Sequence, residues 1–266
     1  MDKYQILLTN DDGIQSPGLW AAAEALSDIG YVTVAAPREQ ASGMGRSMPS
    51  TSDGIIQPQK LMVRGREWTV YAVGGSPAQA VLHGMLEIMP QPPDLVVSGI
   101  NYGENVASGI TISGTVGAAL EAAGMGLRAL AVSLEMVMEH FLTHSSGVDF
   151  STAAWFTAYF ARLLLEKTLP EDVDLLKVDV PSDASPQTPW QITRVARQHY
   201  FMPIAPVRTS WDQPGRVTYR MEENLDPTPD SDVHVLRVKR LVSVTPLSLD
   251  MTSRVDFSHL DASLRG

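Results

Sequence analysis

Cysteine is absent from this chain of 266 residues. Its absence excludes disulfides, thiolate metal sites and a cysteine nucleophile, and makes the cytoplasm the default expectation for its compartment. Long apolar runs are absent too. None reaches the roughly eighteen residues that a membrane-spanning helix needs, so no membrane is expected as a partner. The first residues lack the basic and apolar regions of a secretory signal. Positive charge is scarce: 20 Lys and Arg stand against 30 Asp and Glu, a formal net charge of −10. Without a global basic field, a nucleic-acid duplex is not the expected partner. A small phosphorylated ligand is still compatible, because helix N-termini and a bound cation can make a pocket positive locally. Internal repeats and heptad runs are missing as well. What the chain does have is 44% hydrophobic residues, ample for a core. Its length suits one large α/β domain or a domain with an appendage.

The most informative segment is Ile6-Leu7-Leu8-Thr9-Asn10-Asp11-Asp12-Gly13-Ile14. It reads as a short buried strand that runs into two adjacent carboxylates and a glycine. Pro17 then opens an apolar-periodic helix over Gly18–Asp28. Adjacent carboxylates repel each other, and a divalent cation commonly holds such a pair. A helix-capping turn is the plainer alternative. Further strands are expected at Gln5–Leu8, Tyr31–Ala35, Leu95–Ser98 and Leu127–Ser133, and further helices at Pro77–Ile88 and Thr115–Ala123. Short apolar strands alternating with helices predict a Rossmann-like α/β fold, a doubly wound and mostly parallel sheet. Lys60–Arg64 and Trp68–Val73 suggest a hairpin around Gly65-Arg66, and Pro37–Gln59 a long functional loop. Phe150–Leu165 reads as an amphipathic helix and Leu175–Val180 as a strand. We place the catalytic core at residues 1–181. Residues 182–266 form a β-rich C-terminal extension, with short strands at Gln191–Val195 and Arg216–Met221. Within it, the β-branched run Val233–Thr245 returns to the core.

The chemistry concentrates in Asn10–Gly13, Arg38–Gly43, Ser98–Asn105 and Ser113–Gly117. Each falls where a strand has ended or a helix begins, and in a doubly wound fold such points share one edge of the sheet. Carboxylates, a serine hydroxyl and an asparagine carbonyl can therefore converge there. An all-oxygen set suits Mg²⁺, Mn²⁺ or Ca²⁺ better than Zn²⁺ or copper. Ser113-Gly114-Thr115 offers backbone N–H groups, two hydroxyls and a helix N-terminus, the makings of a phosphate cradle. Read alone, the same residues make an ordinary N-cap.

Ile6–Ile14 with Pro17-Gly18 resembles the opening signature of the SurE family, the survival-protein-E 5′/3′-nucleotidases. Pro93-Asp94-Leu95-Val96-Val97-Ser98-Gly99-Ile100-Asn101-Tyr102-Gly103-Glu104-Asn105 resembles the second signature. Ser113-Gly114-Thr115-Val116-Gly117-Ala118-Ala119 resembles the third, and Val242–Leu247 the C-terminal segment. The resemblance implies a metal-dependent phosphomonoesterase that hydrolyses nucleoside 5′-monophosphates, 3′-monophosphates remaining an open alternative. It implies one divalent cation per subunit, Mg²⁺ or Mn²⁺ with Ca²⁺ as a stand-in, held by Asp11, Asp12, Ser42 and Asn101. Asp11 and Asp12 are then also the catalytic residues. Phosphate contacts fall on Asn10, Gly43, Asn105, Ser113, Gly114 and Thr115. The resemblance further implies a homodimer or homotetramer with an exchanged C-terminal element, for which Val233–Leu247 is the expected segment.

Several positions depart from the family. Ala107, Gly109 and Ile112 stand where it usually has Gly, Asp and Tyr. Gln79-Ala80 replaces Asp-Cys, and Lys177 and Asp179 stand where it tends to have Asn. A haloacid-dehalogenase-type phosphatase would need its second Asp two residues after the first, which adjacent Asp11 and Asp12 do not provide. The rival from another class is a nucleotide- or phosphate-binding module without turnover. His140 and His144 have a spacing that can bind Zn²⁺, but no third ligand motif accompanies them. Ser42 has no partner histidine in a Ser-His-Asp arrangement.

Overall fold

The computed structural model describes residues 3–63, 65–136, 147–222 and 228–266. Its spine is a sheet of nine strands, seven of which come before residue 181: β1 (Tyr4–Thr9), β2 (Gly30–Pro37), β3 (Ile56–Val63), β4 (Arg66–Val73), β5 (Leu95–Tyr102), β6 (Ala129–Leu134) and β7 (Leu175–Val180). β5, β6 and β7 are buried along their whole length. A parallel strand covered on both faces is mostly apolar, which is why these segments read largely as continuous runs; β7 departs from that, with Lys177 and Asp179 buried in it. The sheet order is β3-β4-β2-β1-β5-β6-β7, continued by two later strands, β11 (Val242–Leu247) and β8 (Trp190–Ile192). β1 pairs in parallel with β2 on one side and with β5 on the other. Winding therefore reverses between β1 and β5, and a crevice opens beyond the carboxyl ends of those two strands.

Helices cover both faces. On one face α1 (Pro17–Leu26) packs with α4 (Ser151–Glu166) through Leu19, Ala22, Phe156 and Phe160. On the other, α2 (Pro77–His83) packs with α3 (Gly114–Gly124) through Ala80, Val81, Val116 and Ala119. The expected long helix Pro77–Ile88 changes character at Gly84, where a π-helical turn takes over. A side chain at Gly84 would meet Leu7 Cδ1 at 2.7 Å, so the helix lies directly on the central strand. The hairpin is longer than expected. β3 pairs antiparallel with β4 over its full length and takes the last residues of the expected Pro37–Gln59 loop.

The extension supplies β8 (Trp190–Ile192), β9 (Phe201–Ile204), β10 (Thr218–Met221), α5 (Asp232–Arg237), β11 (Val242–Leu247) and α6 (Phe257–Arg265). β9 and β10 form a separate two-stranded sheet. β-branched composition made Val233–Thr245 look extended, but Ser231 accepts the His234 N–H and opens a short helix there. β11 lies within its own chain, antiparallel to β7 and parallel to β8. Without it β7 would be an open edge strand, so the pairing satisfies both. His140 and His144 lie outside the described residues.

Candidate active site at the sheet's switch point

Asn10, Asp11 and Asp12 follow β1 directly and are buried; the two carboxylates are each 4% exposed. Asp11 reaches the start of α3: Thr115 Oγ1 donates to its Oδ1 at 2.5 Å. The approach requires a glycine, since a Cβ on Gly114 would lie 2.7 Å from the Asp11 Cβ. Asp12 turns toward β5, where the Tyr102 N–H donates to its Oδ2 at 3.1 Å. β5 carries a register shift between Ser98 and Asn101 in its pairing with β6. Such a bulge re-aims the residues that follow it. Gly99 permits it with φ of 135°, at a point where a side chain would strike the Val132 carbonyl at 2.4 Å.

Asn101 is fixed by its nitrogen. Nδ2 donates to Gly103 O at 2.6 Å and to Tyr102 O at 3.3 Å, which leaves its oxygen end for a ligand. The loop after β2 arrives from the other side. Ala41 N donates to Asp11 O at 2.7 Å, and Gln40 Nε2 donates to the exposed Ser42 hydroxyl at 3.0 Å. Gln40 also hydrogen-bonds the Asp12 carboxylate. Gly43 is exposed with φ of 78°, and Gly45 N donates to Ile112 O at 3.0 Å, beside Ser113. All four sequence segments thus meet at one edge.

The electrostatics are unfavourable for a bare site. Burial pushes the Asp11 carboxyl above its usual range, against the hydrogen bonds from Thr115 and Gly114 that favour its charge. Asp12 is pushed well above its usual range, first by burial and then by the charge on Asp11. Two apposed carboxylates with neutral partners call for a cation. Among the described residues no three His, Asp or Glu side chains gather as a metal-ligating cluster. Any ion at this edge would therefore rest on two carboxylates and neutral oxygens. The donor chemistry fits a hard divalent ion: Asp11, Asp12, the Asn101 oxygen and the Ser42 hydroxyl. Asn10 Oδ1 is also buried and receives no hydrogen bond from the described residues.

Several of the expected phosphate contacts are already engaged within the chain. Asn10 Nδ2 donates to Gly13 O at 3.0 Å, and Ser113 Oγ caps α3 by accepting the Val116 N–H at 3.1 Å. Asn105 is half-buried, its Nδ2 donating to Ser133 Oγ at 2.9 Å and its N–H to Asp179 Oδ1 at 2.8 Å. Gln40, Tyr102 and Asp179 carry no role in the sequence reading. The available signals are that Gln40 and Tyr102 lie inside two of the four segments and that Asp179 departs from the family pattern; their hydrogen bonds depend on which loops meet.

Comparison with known proteins comes to the same fold. Residues 6–202 match the family model described as Survival protein SurE. The chain is 42% identical over 257 residues to a protein of Methanocella arvoryzae named 5′-nucleotidase SurE, covering 94% of each. It is 44% identical over 264 residues to the protein of that name from Thermococcus gammatolerans, covering 98% of this chain and 96% of the other. The crystal structure of the SurE protein from Aquifex aeolicus superposes with a TM-score of 0.73 at 28% identity, covering 98% of this chain and 100% of that one.

Proposed function

The chain belongs to the Survival protein SurE family, and from that membership and its paired buried carboxylates we propose that it is a metal-dependent 5′-nucleotidase. It would hydrolyse nucleoside monophosphates to nucleoside and phosphate. The observation that carries the reading is Asp11 beside Asp12, both buried at the switch point of the sheet, with hydrogen-bond partners that are all neutral.

Asp11, Asp12, Asn101 and Ser42 would hold one divalent cation, Mg²⁺ or Mn²⁺. When bound, that ion supplies Lewis acidity, neutralising charge on the phosphoryl group and easing deprotonation of a water. We assign the proton of the attacking water to Asp12. In the metal-free protein burial, and after it the charge on Asp11, raise its carboxyl above the ordinary range, the direction that favours accepting a proton. Asp11 keeps the hydrogen bond from Thr115 and serves as the fixed anchor. The N-terminus of α3 stabilises negative charge on the phosphoryl oxygens. Gly114 contributes through the backbone, and Ser113 and Thr115 through the helix start and the Asp11 position they hold. Asn10, Gly43 and Asn105 are assigned to the remaining phosphate oxygens.

Self-association belongs to the same reading. Among the described residues of α6 none is buried, and Phe257, Leu260 and Leu264 recur along it at helical spacing. An apolar stripe of that kind suits a second copy of the chain.

Release of phosphate from a panel of nucleoside monophosphates tests the activity. Turnover is expected with Mn²⁺ or Mg²⁺, lost in EDTA and restored by metal. Undiminished turnover after metal stripping would sink the cation site. No phosphate from any nucleotide with any divalent ion would sink the nucleotidase reading.

A further inference from the structure

Lys177 and Asp179 point to the same side of β7, and both side chains are fully buried. Lys177 Nζ hydrogen-bonds Asp179 Oδ2 and lies 3.4 Å from Oδ2 of Asp232, the fully buried first residue of α5. A charged cluster without solvent is costly unless its remaining lone pairs are met. Backbone N–H groups meet them. Asp179 Oδ1 accepts from Asn105 N at 2.8 Å, and Asp232 Oδ2 from Ala107 N at 3.1 Å. Asp232 Oδ1 accepts from Ala196 N and Val233 N, both at 2.9 Å.

The turn after β5 is therefore strung across two carboxylates that a single lysine holds. Asn105 is fixed at a second point, where its Nδ2 donates to Ser133 Oγ at 2.9 Å. An amide nitrogen has two hydrogens, so Ser133 takes one and the other is available to a phosphate oxygen. With backbone and side chain both pinned, the direction of that second hydrogen is set. We propose that Lys177 and Asp179 are positioning residues that act through Asn105 to fix its contact with the substrate phosphate. The inference rests on the reading of Asn105 as a phosphate contact. Asparagine, which the family tends to have at both positions, could offer the same acceptor without charge. In this chain an ion pair with Lys177 keeps the Asp179 carboxylate oriented toward the Asn105 N–H.

Binding of inorganic phosphate to the full-length Mn²⁺-loaded protein, measured by titration calorimetry, tests the inference without relying on turnover. KM for a nucleoside 5′-monophosphate is measured beside it. Asp179→Ala removes the acceptor, and both the phosphate Kd and KM are expected to rise at least about tenfold, the loss of one hydrogen bond to a charged group. The Mn²⁺ concentration giving half-maximal rate should not change, since Asp11, Asp12 and Asn101 keep their bonds. The double variant Lys177→Asn/Asp179→Asn restores a neutral acceptor and should bring both constants within about threefold of wild type. Ser133→Ala loosens Asn105 from its other side without touching a buried charge, and carries the test if Asp179→Ala does not fold. Wild-type Kd and KM in Asp179→Ala or, where that variant fails to fold, in Ser133→Ala, with only the active fraction lowered, would overturn the inference. A wild-type protein that binds no phosphate would overturn it together with the assignment of Asn105. A protein that binds phosphate but cleaves no nucleotide defeats only the nucleotidase reading, and the binding arm still decides the role of Asp179.

Discussion

Replacing Asp12 by Asn should make the metal-free protein more stable while abolishing its activity. The substitution keeps the volume and the oxygen that accepts the Tyr102 N–H at 3.1 Å, and removes one charge. In the metal-free protein that charge is unfavourable: the side chain is 4% exposed and adjoins Asp11. Burial and the Asp11 charge both disfavour its ionised form, in that order. Relief of an unpaired buried charge beside another is worth about 1–3 kcal/mol. For a domain of this size each kcal/mol moves Tm by roughly 2–4 °C. Thermal unfolding in EDTA should therefore show a rise of several degrees. Adding Mn²⁺ should raise Tm of the wild type, because a ligand that binds only the folded state stabilises it by mass action. The variant should respond weakly or not at all. Turnover should fall at least about a hundredfold, a loss of transition-state stabilisation near 2.7 kcal/mol. A variant less stable than wild type in EDTA, with an undiminished Mn²⁺ response, would refute the reasoning and mark Asp12 as a structural residue.

Two further outcomes follow from other parts of the molecule. Burial raises the Glu135 carboxyl, but hydrogen bonds from Arg240 and Ser182 outweigh that and hold it at about 2. A depressed carboxylate stabilises the fold above its unfolded value of 4.5 and loses that contribution as pH falls toward about 2. Wild type should exceed Glu135→Gln by about 2–3 kcal/mol at pH 7, with the gap closing between pH 4.5 and 2; a gap independent of pH in thermal unfolding would contradict this. Deleting residues 251–266 removes α6 and its exposed Phe257, Leu260 and Leu264. Light scattering should show an oligomer for the full chain and a monomer for the truncated one, and a monomeric full chain at micromolar concentration would rule out association through α6.

Local chemistry made the site legible. Asn10-Asp11-Asp12-Gly13 sits where the buried apolar run of β1 ends, at the carboxyl edge of a parallel sheet where polar functional side chains collect. Ser113 opens α3 as the cap pattern requires. What sequence alone could not assign was pairing across distance. Val242–Leu247 has the composition of any partnered strand, and nothing in it distinguishes β7 of its own chain from a neighbour's sheet. The turn that follows Asn105 is a similar case. Ala107 has φ of 53°, a left-handed conformation that costs a residue with a Cβ roughly 1–2 kcal/mol. The family's glycine there avoids that cost. This chain tolerates alanine because Asp232 accepts its N–H at 3.1 Å and its methyl group is buried in the apolar cluster that includes Tyr200 and Val233.

The same carboxylate explains why Lys177 and Asp179 looked like isolated departures. Two residues apart on a strand, they share a face, but the third member of their cluster lies on α5 in the extension. A buried lysine is tolerable only when both carboxylates are present, and the carboxylates in turn are tolerable only with backbone donors from the turn after β5. Charge at Lys177 is thus coupled to the backbone position of Asn105, within the pocket edge and far from it in sequence. A substitution pattern of that kind bears on the turn after β5 without touching Asp11, Asp12 or Asn101. The departures at Lys177 and Asp179 fall on such supporting residues rather than on the carboxylate pair.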